Sequence, residues 1–106
     1  MELFASTNCL SNKTSLTDKL KSYASVGIFK VDLGAGVTVS EIELSNLYGK
    51  EDYEFQIHNY FPPPAESFVL NLASSDDATV KLSQAMATNA FDLMTKLNGN
   101  IYSVHP

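Results

Sequence analysis

The chain has 106 residues, of which 44% are hydrophobic and 18% charged, a composition typical of a single folded domain rather than of a disordered segment. Seven basic residues against twelve acidic ones give a net charge of −5. This balance argues against a broad nucleic-acid-binding face, which needs lysines and arginines to neutralise phosphates. No apolar run could span a bilayer, no signal peptide begins the sequence, and Cys9 is the single cysteine. We therefore expect a cytoplasmic protein without membrane contact.

One pattern recurs along the chain: an apolar run, a helix-start signal, a helix, a glycine and the next apolar run. The first run is Leu3–Thr7. Ser15 and Asp18 fit a capping box, in which two side chains bond the free amides at a helix start. Gly27 is suited to the left-handed residue that closes a helix, so we predict a first helix between Ser15 and Gly27.

The second and third units repeat this order. The second run, Ile28–Leu33, precedes a capping box at Ser40 and Glu43, and Gly49 ends the short helix predicted there. The third run, Tyr53–His58, leads into a loop with three consecutive prolines.

The last predicted helix is the longest. It should begin at Ser74 with Asp77 and continue to about Asn98, and a fourth apolar run, Asn100–His105, follows it. Helical spacing predicts that its buried side consists of Val80, Ala87, Ala90, Phe91, Met94 and Leu97.

Strands that alternate with helices predict an α/β fold with a parallel sheet joined by right-handed crossovers. Val31 and Leu33 alternate with Lys30 and Asp32, so this strand has one apolar and one polar face. A sheet covered by helices on both sides would be apolar almost throughout, whereas one polar face fits a barrel interior. Four strands and three helices are the first half of a (β/α)8 barrel. We expect residues 1–106 to form a single partial barrel domain, either a fragment or a half-barrel that self-associates through its open sheet edges.

The two histidines, His58 and His105, end consecutive predicted strands. Neighbouring strands lie about 4.8 Å apart, so both imidazoles could bind one cation at the end of a barrel where active sites lie. Spacing alone favours the alternative of two ordinary loop histidines.

Four further residues are candidates for substrate contact: Asp32, Gln56, Asn59 and Tyr60. Asp32 is near the end of its strand, where a carboxylate could ligate a metal, bind sugar hydroxyls or act as a base. A salt bridge with Lys30 or another neighbour is the slightly favoured alternative. Tyr60 begins the proline loop, which either walls a small-molecule pocket or packs as a stiff loop on the rim. The residues themselves identify no catalytic group.

The motifs HNYFPPP, FVLNLAS and YSVHP, placed around a long helix, resemble the N-terminal half of the xylose-isomerase-like barrels. That superfamily includes sugar-phosphate isomerases and epimerases and endonucleases of the endonuclease IV type. FASTNCL and GIFKVDLGAG fit the same resemblance, which covers essentially the whole chain. It implies a (β/α)8 fold, often with a divalent metal such as Zn or Mn at the C-terminal mouth. His58 and His105 match histidines that ligate metal in the nuclease branch, and Asp32 stands where many relatives carry Glu.

Three functions are open at this point. The first is a sugar-phosphate isomerase or epimerase, which performs metal-assisted isomerisation of a small sugar or sugar phosphate and is inactive as this chain alone. The second is an endonuclease IV-like phosphodiesterase that acts on abasic DNA, which the acidic net charge disfavours. The third is a non-catalytic half-barrel that self-associates.

Overall fold

A computed structural model describes residues 3–10, 14–34 and 39–104. The described residues form four strands, which are β1 (Ala5–Ser6), β2 (Lys30–Leu33), β3 (Glu54–His58) and β4 (Tyr102–Ser103). Three α-helices separate them: α1 (Leu16–Ala24), α2 (Glu41–Leu47) and α3 (Asp77–Lys96). The sheet order is β1-β2-β3-β4 and every pairing is parallel. This confirms the predicted α/β fold, with the strand order and helix number of the first half of a (β/α)8 barrel.

The helix starts follow the capping signals closely. Ser40 and Glu43 form the complete predicted capping box of α2. The start of α3 is a correction, because Asp76 and not Ser74 is the N-cap. The Asp76 carboxylate accepts bonds from the amide and the hydroxyl of Thr79, whereas the Ser74 hydroxyl, two residues before the N-cap, accepts the amide of Asp76. The carboxylate bonded to two Thr79 donors therefore fixes the helix start.

One face of the sheet is apolar and is covered by the helices. Val31, Leu33, Phe55 and Ile57 are buried on this face, as the strand alternation predicts. The buried stripe of α3 consists of Ser83, Met86, Ala90, Leu93 and Leu97. Ala90 and Leu97 were predicted correctly, but Phe91 is 52% exposed and packs edge-to-face on Tyr102 at the edge of the sheet. The observed stripe also repeats every three or four residues, but it starts from Ser83 and leaves out Phe91. The helix is therefore rotated about its axis relative to the prediction.

The two outer strands are shorter than the sequence suggests. Runs of five and six residues were expected, whereas β1 and β4 each have two residues in the ladder. Each outer strand pairs with a neighbour on one side only, so fewer backbone hydrogen bonds hold it flat. In the part of the chain that is described, no helix has the length and apolar character needed to cross a membrane.

Candidate functional site

The uncovered face of the sheet carries the polar side chains. Side chains alternate along a strand, and residues paired in register across parallel strands point to the same side. Asp32 on β2 is paired with Ser6 on β1 and with Gln56 on β3. His58, at the C-terminal end of β3, is paired with Ser103 on β4. We call this set of five residues the mouth cluster, because it lies at the carboxyl ends of the strands, where barrel active sites are built.

Asp32 and His58 contact each other within the mouth cluster. The Asp32 Oδ2 atom lies 3.3 Å from His58 Nδ1, across the β2–β3 pairing. The Asp32 side chain is 14% exposed and that of His58 is 31% exposed. The second carboxylate oxygen, Oδ1, is buried and has no hydrogen-bond partner among the described residues. A buried oxygen in this state is costly for folding, and such groups are found at binding and catalytic sites.

Lys30 and Glu54 lie at the other end of the same face. The Lys30 Nζ atom is 3.6 Å from Glu54 Oε2, and the two side chains are about half exposed, at 42% and 55%. The lysine also lies over the ring of Phe4, 6.0 Å from its centroid. The contact between Asp32 and His58 is a salt bridge only when the imidazole is protonated, so the salt-bridge alternative for Asp32 stays a prediction.

A buried lysine on α1 holds the loop after β1 in place at the C-terminal end of the sheet. Lys19 on α1 is completely buried and its Nζ donates to the Thr7 carbonyl oxygen at 2.6 Å. Burial lowers the pKa of Lys19, because an ammonium group loses hydration there. The Thr7 hydroxyl in turn accepts the amide of Gly34, at the end of β2, at 2.9 Å. Any side chain at position 34 would meet the Asn8 amide nitrogen at 2.9 Å, so glycine lets the two loops approach.

Sequence reasoning did not identify Lys19 or Thr7 as contributors to this end of the fold. A signal was present, since Lys19 is in the apolar stripe of α1 between Leu16 and Tyr23. A lysine on a helix face that is otherwise buried requires a hydrogen-bond acceptor. Here the Thr7 carbonyl, in the segment that follows β1, is that acceptor.

The proline loop forms a rim beside the mouth cluster. Phe61 is fully buried, and the Tyr60 hydroxyl accepts the amide of Leu70 at 3.0 Å, which ties the two sides of the loop together. Asn59 is buried, and its side-chain oxygen accepts the Tyr102 hydroxyl at 3.1 Å. Burial, and secondarily the proximity of Tyr60, raises the pKa of Tyr102. The loop is therefore a packed rim rather than a flexible linker.

The structure thus brings two of the four candidate substrate residues, Asp32 and Gln56, together with His58. Asn59 and Tyr60 follow directly in sequence, but their polar atoms bond to the rim and to β4. Substrate contact remains a prediction for all four. His105 is outside the described residues, so its predicted pairing with His58 stays a prediction as well.

The described residues supply only part of a metal site. Among residues 3–10, 14–34 and 39–104, no three His, Cys, Asp or Glu side chains are grouped so that they could hold a metal ion. Asp32 and His58 nevertheless have the arrangement of a carboxylate that orients a ligating histidine. With Nδ1 directed at the carboxylate, Nε2 is the ring nitrogen that would ligate. The pair fits a metal, provided that other residues complete the ligand set.

One surface pocket lies away from this chemistry. Its volume is about 350 Å³ and its lining includes Lys50, Glu51, Lys96 and Asn98, which precede β3 and β4. It is therefore at the amino ends of the strands, the end of a barrel that serves stability rather than catalysis. Both lysines lie over tyrosine rings, Lys50 over Tyr53 and Lys96 over Tyr48, as exposed side chains commonly do.

Comparisons of the chain with models of protein families, with curated proteins and with solved structures each returned no match.

Proposed function

We propose that this chain provides the first half of the active site of a metal-assisted isomerase or epimerase that acts on a small sugar or sugar phosphate. The observation that carries the proposal is the Asp32–His58 pair, with one buried carboxylate oxygen that has no hydrogen-bond partner in the described part of the chain. The motif resemblance to xylose-isomerase-like barrels supports the same class of reaction.

Each residue of the mouth cluster has a role in this proposal. His58 ligates the metal through Nε2, and Asp32 holds the imidazole by accepting from Nδ1. Gln56, in register with Asp32, offers an amide that can donate to or accept from sugar hydroxyls. A bound divalent metal would polarise the carbonyl oxygen of the substrate. The base that moves the proton between neighbouring carbons comes from outside the described residues.

A small ligand suits this mouth better than a nucleic acid does. The mouth cluster contains one carboxylate and no lysine or arginine, and Lys19, the lysine below it, is buried against backbone carbonyls. Phosphodiester backbones are bound largely through exposed cations. Cleavage of abasic DNA is therefore the less favoured alternative, and the experiment described next also tests for it.

The test follows hydrogen exchange at carbon. The chain, together with the segment or partner that completes the site, is incubated in heavy water with Mn²⁺ or Zn²⁺ and a panel of aldoses, ketoses and their phosphates. Deuterium at the carbons next to the carbonyl is measured by NMR. Exchange should depend on the metal. His58→Ala should reduce it by about 10²-fold or more, the scale of losing one catalytic group.

Glu54→Gln is the matched control, because Glu54 lies on the same sheet face at the opposite end, against Lys30. It should leave exchange unchanged. Metal affinity is measured in parallel, and unchanged affinity in His58→Ala would remove the histidine from the proposed site. Cleavage of an abasic duplex without any sugar exchange would refute the isomerase proposal and favour the phosphodiesterase.

A further inference from the structure

The chain exposes more surface than its size requires. Its accessible surface is 6754 Å², whereas a compact monomer of 11.6 kDa is expected to expose about 5,800 Å². The radius of gyration, 14.0 Å, likewise exceeds the value of about 13 Å for a compact chain of this length. The excess of roughly 900 Å² is close to the roughly 800 Å² that each partner buries in a stable protein–protein interface.

Apolar side chains are exposed at both edges of the sheet. Leu3 precedes β1 and is largely exposed, and Val104 follows β4 and is more than one-third exposed. Ile101, beside β4, is 50% exposed and shares the uncovered face with His58, because His58 is in register with Ser103 and side chains alternate. Unpaired edges with apolar side chains are surfaces that pair with another strand.

The geometry of the sheet restricts what can cover these edges. All four strands are parallel and in sequential order, so an added strand must run in the same direction to continue the sheet. A twofold rotation about the axis of a barrel preserves strand direction. It places β1 of one copy beside β4 of the other at both seams. Eight strands are also the number at which a barrel interior is just filled by side chains.

The charges on the uncovered face are compatible with this closure. Lys30 is in register with Glu54, and Asp32 contacts His58, which lies two residues beyond its register partner on β3, so each of these carboxylates lies beside a basic side chain. Two copies would therefore face each other with these carboxylates already beside basic groups. Two identical seams also satisfy the rule that a twofold interface uses the same surface patches on both subunits.

We infer that the uncovered face of the sheet and its two edges bind a second copy of this chain, and that the two four-stranded sheets close into one eight-stranded barrel with twofold symmetry. Both mouth clusters then face a single interior, so each copy contributes its Asp32–His58 pair to the same cavity. The inference stands on surface area, strand direction and edge composition, so it is independent of the proposed isomerase activity.

Sedimentation equilibrium of the 106-residue chain tests the inference without a substrate. The expected species is a dimer of twice the 11.6 kDa chain mass, with monomer appearing on dilution. Ile101→Asp places a charge at the β4 seam and should weaken dimerisation by at least tenfold. Ile42→Asp is the matched control, since Ile42 is 73% exposed on α2 and away from the seams, and it should leave the dimer intact.

Circular dichroism establishes that each variant is folded before its mass is interpreted. If the wild-type chain were folded and monomeric at all concentrations, the inference would be overturned. The uncovered face would then have to bind a different partner. Equal weakening by both substitutions would overturn it too. So would open-ended species larger than a dimer, because they show edge pairing without closure.

A cross-linking experiment tests the seam directly and does not depend on the fold of Ile101→Asp. Ala5→Cys and Asn100→Cys are at the same level of the sheet, because Ala5 is in register with Phe55 and Tyr102 with Ile57. They are made separately in a Cys9→Ser background, mixed, and treated with a short bismaleimide. Each variant carries one cysteine, so a cross-link can form only between two copies. Neighbouring strands lie about 4.8 Å apart, so cysteines facing each other across a seam are within reach of a short reagent. Dimers should form in the mixture and not in either variant alone. Absence of dimers from the mixture would contradict the closed barrel.

Discussion

Asp32→Val should make the folded chain more stable while it removes the proposed site. Within residues 3–10, 14–34 and 39–104 the buried Oδ1 atom has no hydrogen-bond partner, and an unsatisfied buried polar atom costs about 1–3 kcal/mol of folding free energy. The substitution also removes the contact with His58. That contact is 3.3 Å long and involves an imidazole that is about one-third exposed, so its net contribution is about 1 kcal/mol or less. The cost of the orphaned oxygen is the larger effect, and the expected net gain is about 1 kcal/mol.

Urea unfolding at pH 7, followed by far-UV circular dichroism, measures this gain. For a small domain the midpoint should rise by roughly 0.5 M, since the free energy of unfolding falls by about 1–3 kcal/mol per molar urea. Gln56→Val is the matched control, because Gln56 is in register with Asp32 on the same face. It measures the general effect of a valine on that face, including its higher strand propensity. All variants are compared at one protein concentration, so that any dimerisation contributes equally.

The reasoning would be refuted if Asp32→Val were less stable than Gln56→Val by 1 kcal/mol or more. Such a result would mean that the contact with His58 stabilises the fold by more than the buried oxygen destabilises it. If Asp32→Val instead gained stability and lost metal binding, Asp32 would be a residue whose functional role lowers the stability of the fold.

Glu43→Ala should destabilise the chain by about 2 kcal/mol, because the carboxylate bonds Ser40 as a capping box and also accepts the amide and hydroxyl of Thr17 on α1. These bonds, led by the one from the Ser40 amide, lower the pKa of Glu43 below its ordinary value of 4.5. A carboxyl pKa that is lower in the folded state stabilises the fold at pH values above the pKa of the unfolded chain. The loss of stability in Glu43→Ala should therefore be complete at pH 7 and shrink as the pH falls below about 4.5. A loss that does not change with pH, or an equal loss in the control Glu41→Ala, would count against the assignment. Phe61→Ala should cost about 3–5 kcal/mol, since the ring is fully buried beneath the proline loop, and thermal unfolding that shifts by only a degree or two would show that this rim does not pack on the core.

Local signals in the sequence were sufficient for the order of elements. Apolar runs, capping residues and closing glycines act over three or four positions, so they identify α2 from Ser40 and Glu43 without any knowledge of the rest of the chain. They also predicted the alternation that buries Val31 and Leu33 and leaves Asp32 on the uncovered face. Where two local signals compete, as Ser74 and Asp76 do at the start of α3, position alone does not decide.

The sequence by itself therefore determined the α/β class, the parallel strand order and the end of the sheet at which the polar residues lie, because each depends on periodicity and on short-range hydrogen bonding. Only the tertiary structure decided which polar residues meet. The contact between Asp32 and His58 spans 26 positions and depends on the register of β2 against β3. The burial of Lys19 depends on the path of the loop after β1, and the exposure of Phe91 on the rotation of α3 against the sheet. Register, loop path and helix rotation are set by packing between distant segments, which no local pattern encodes.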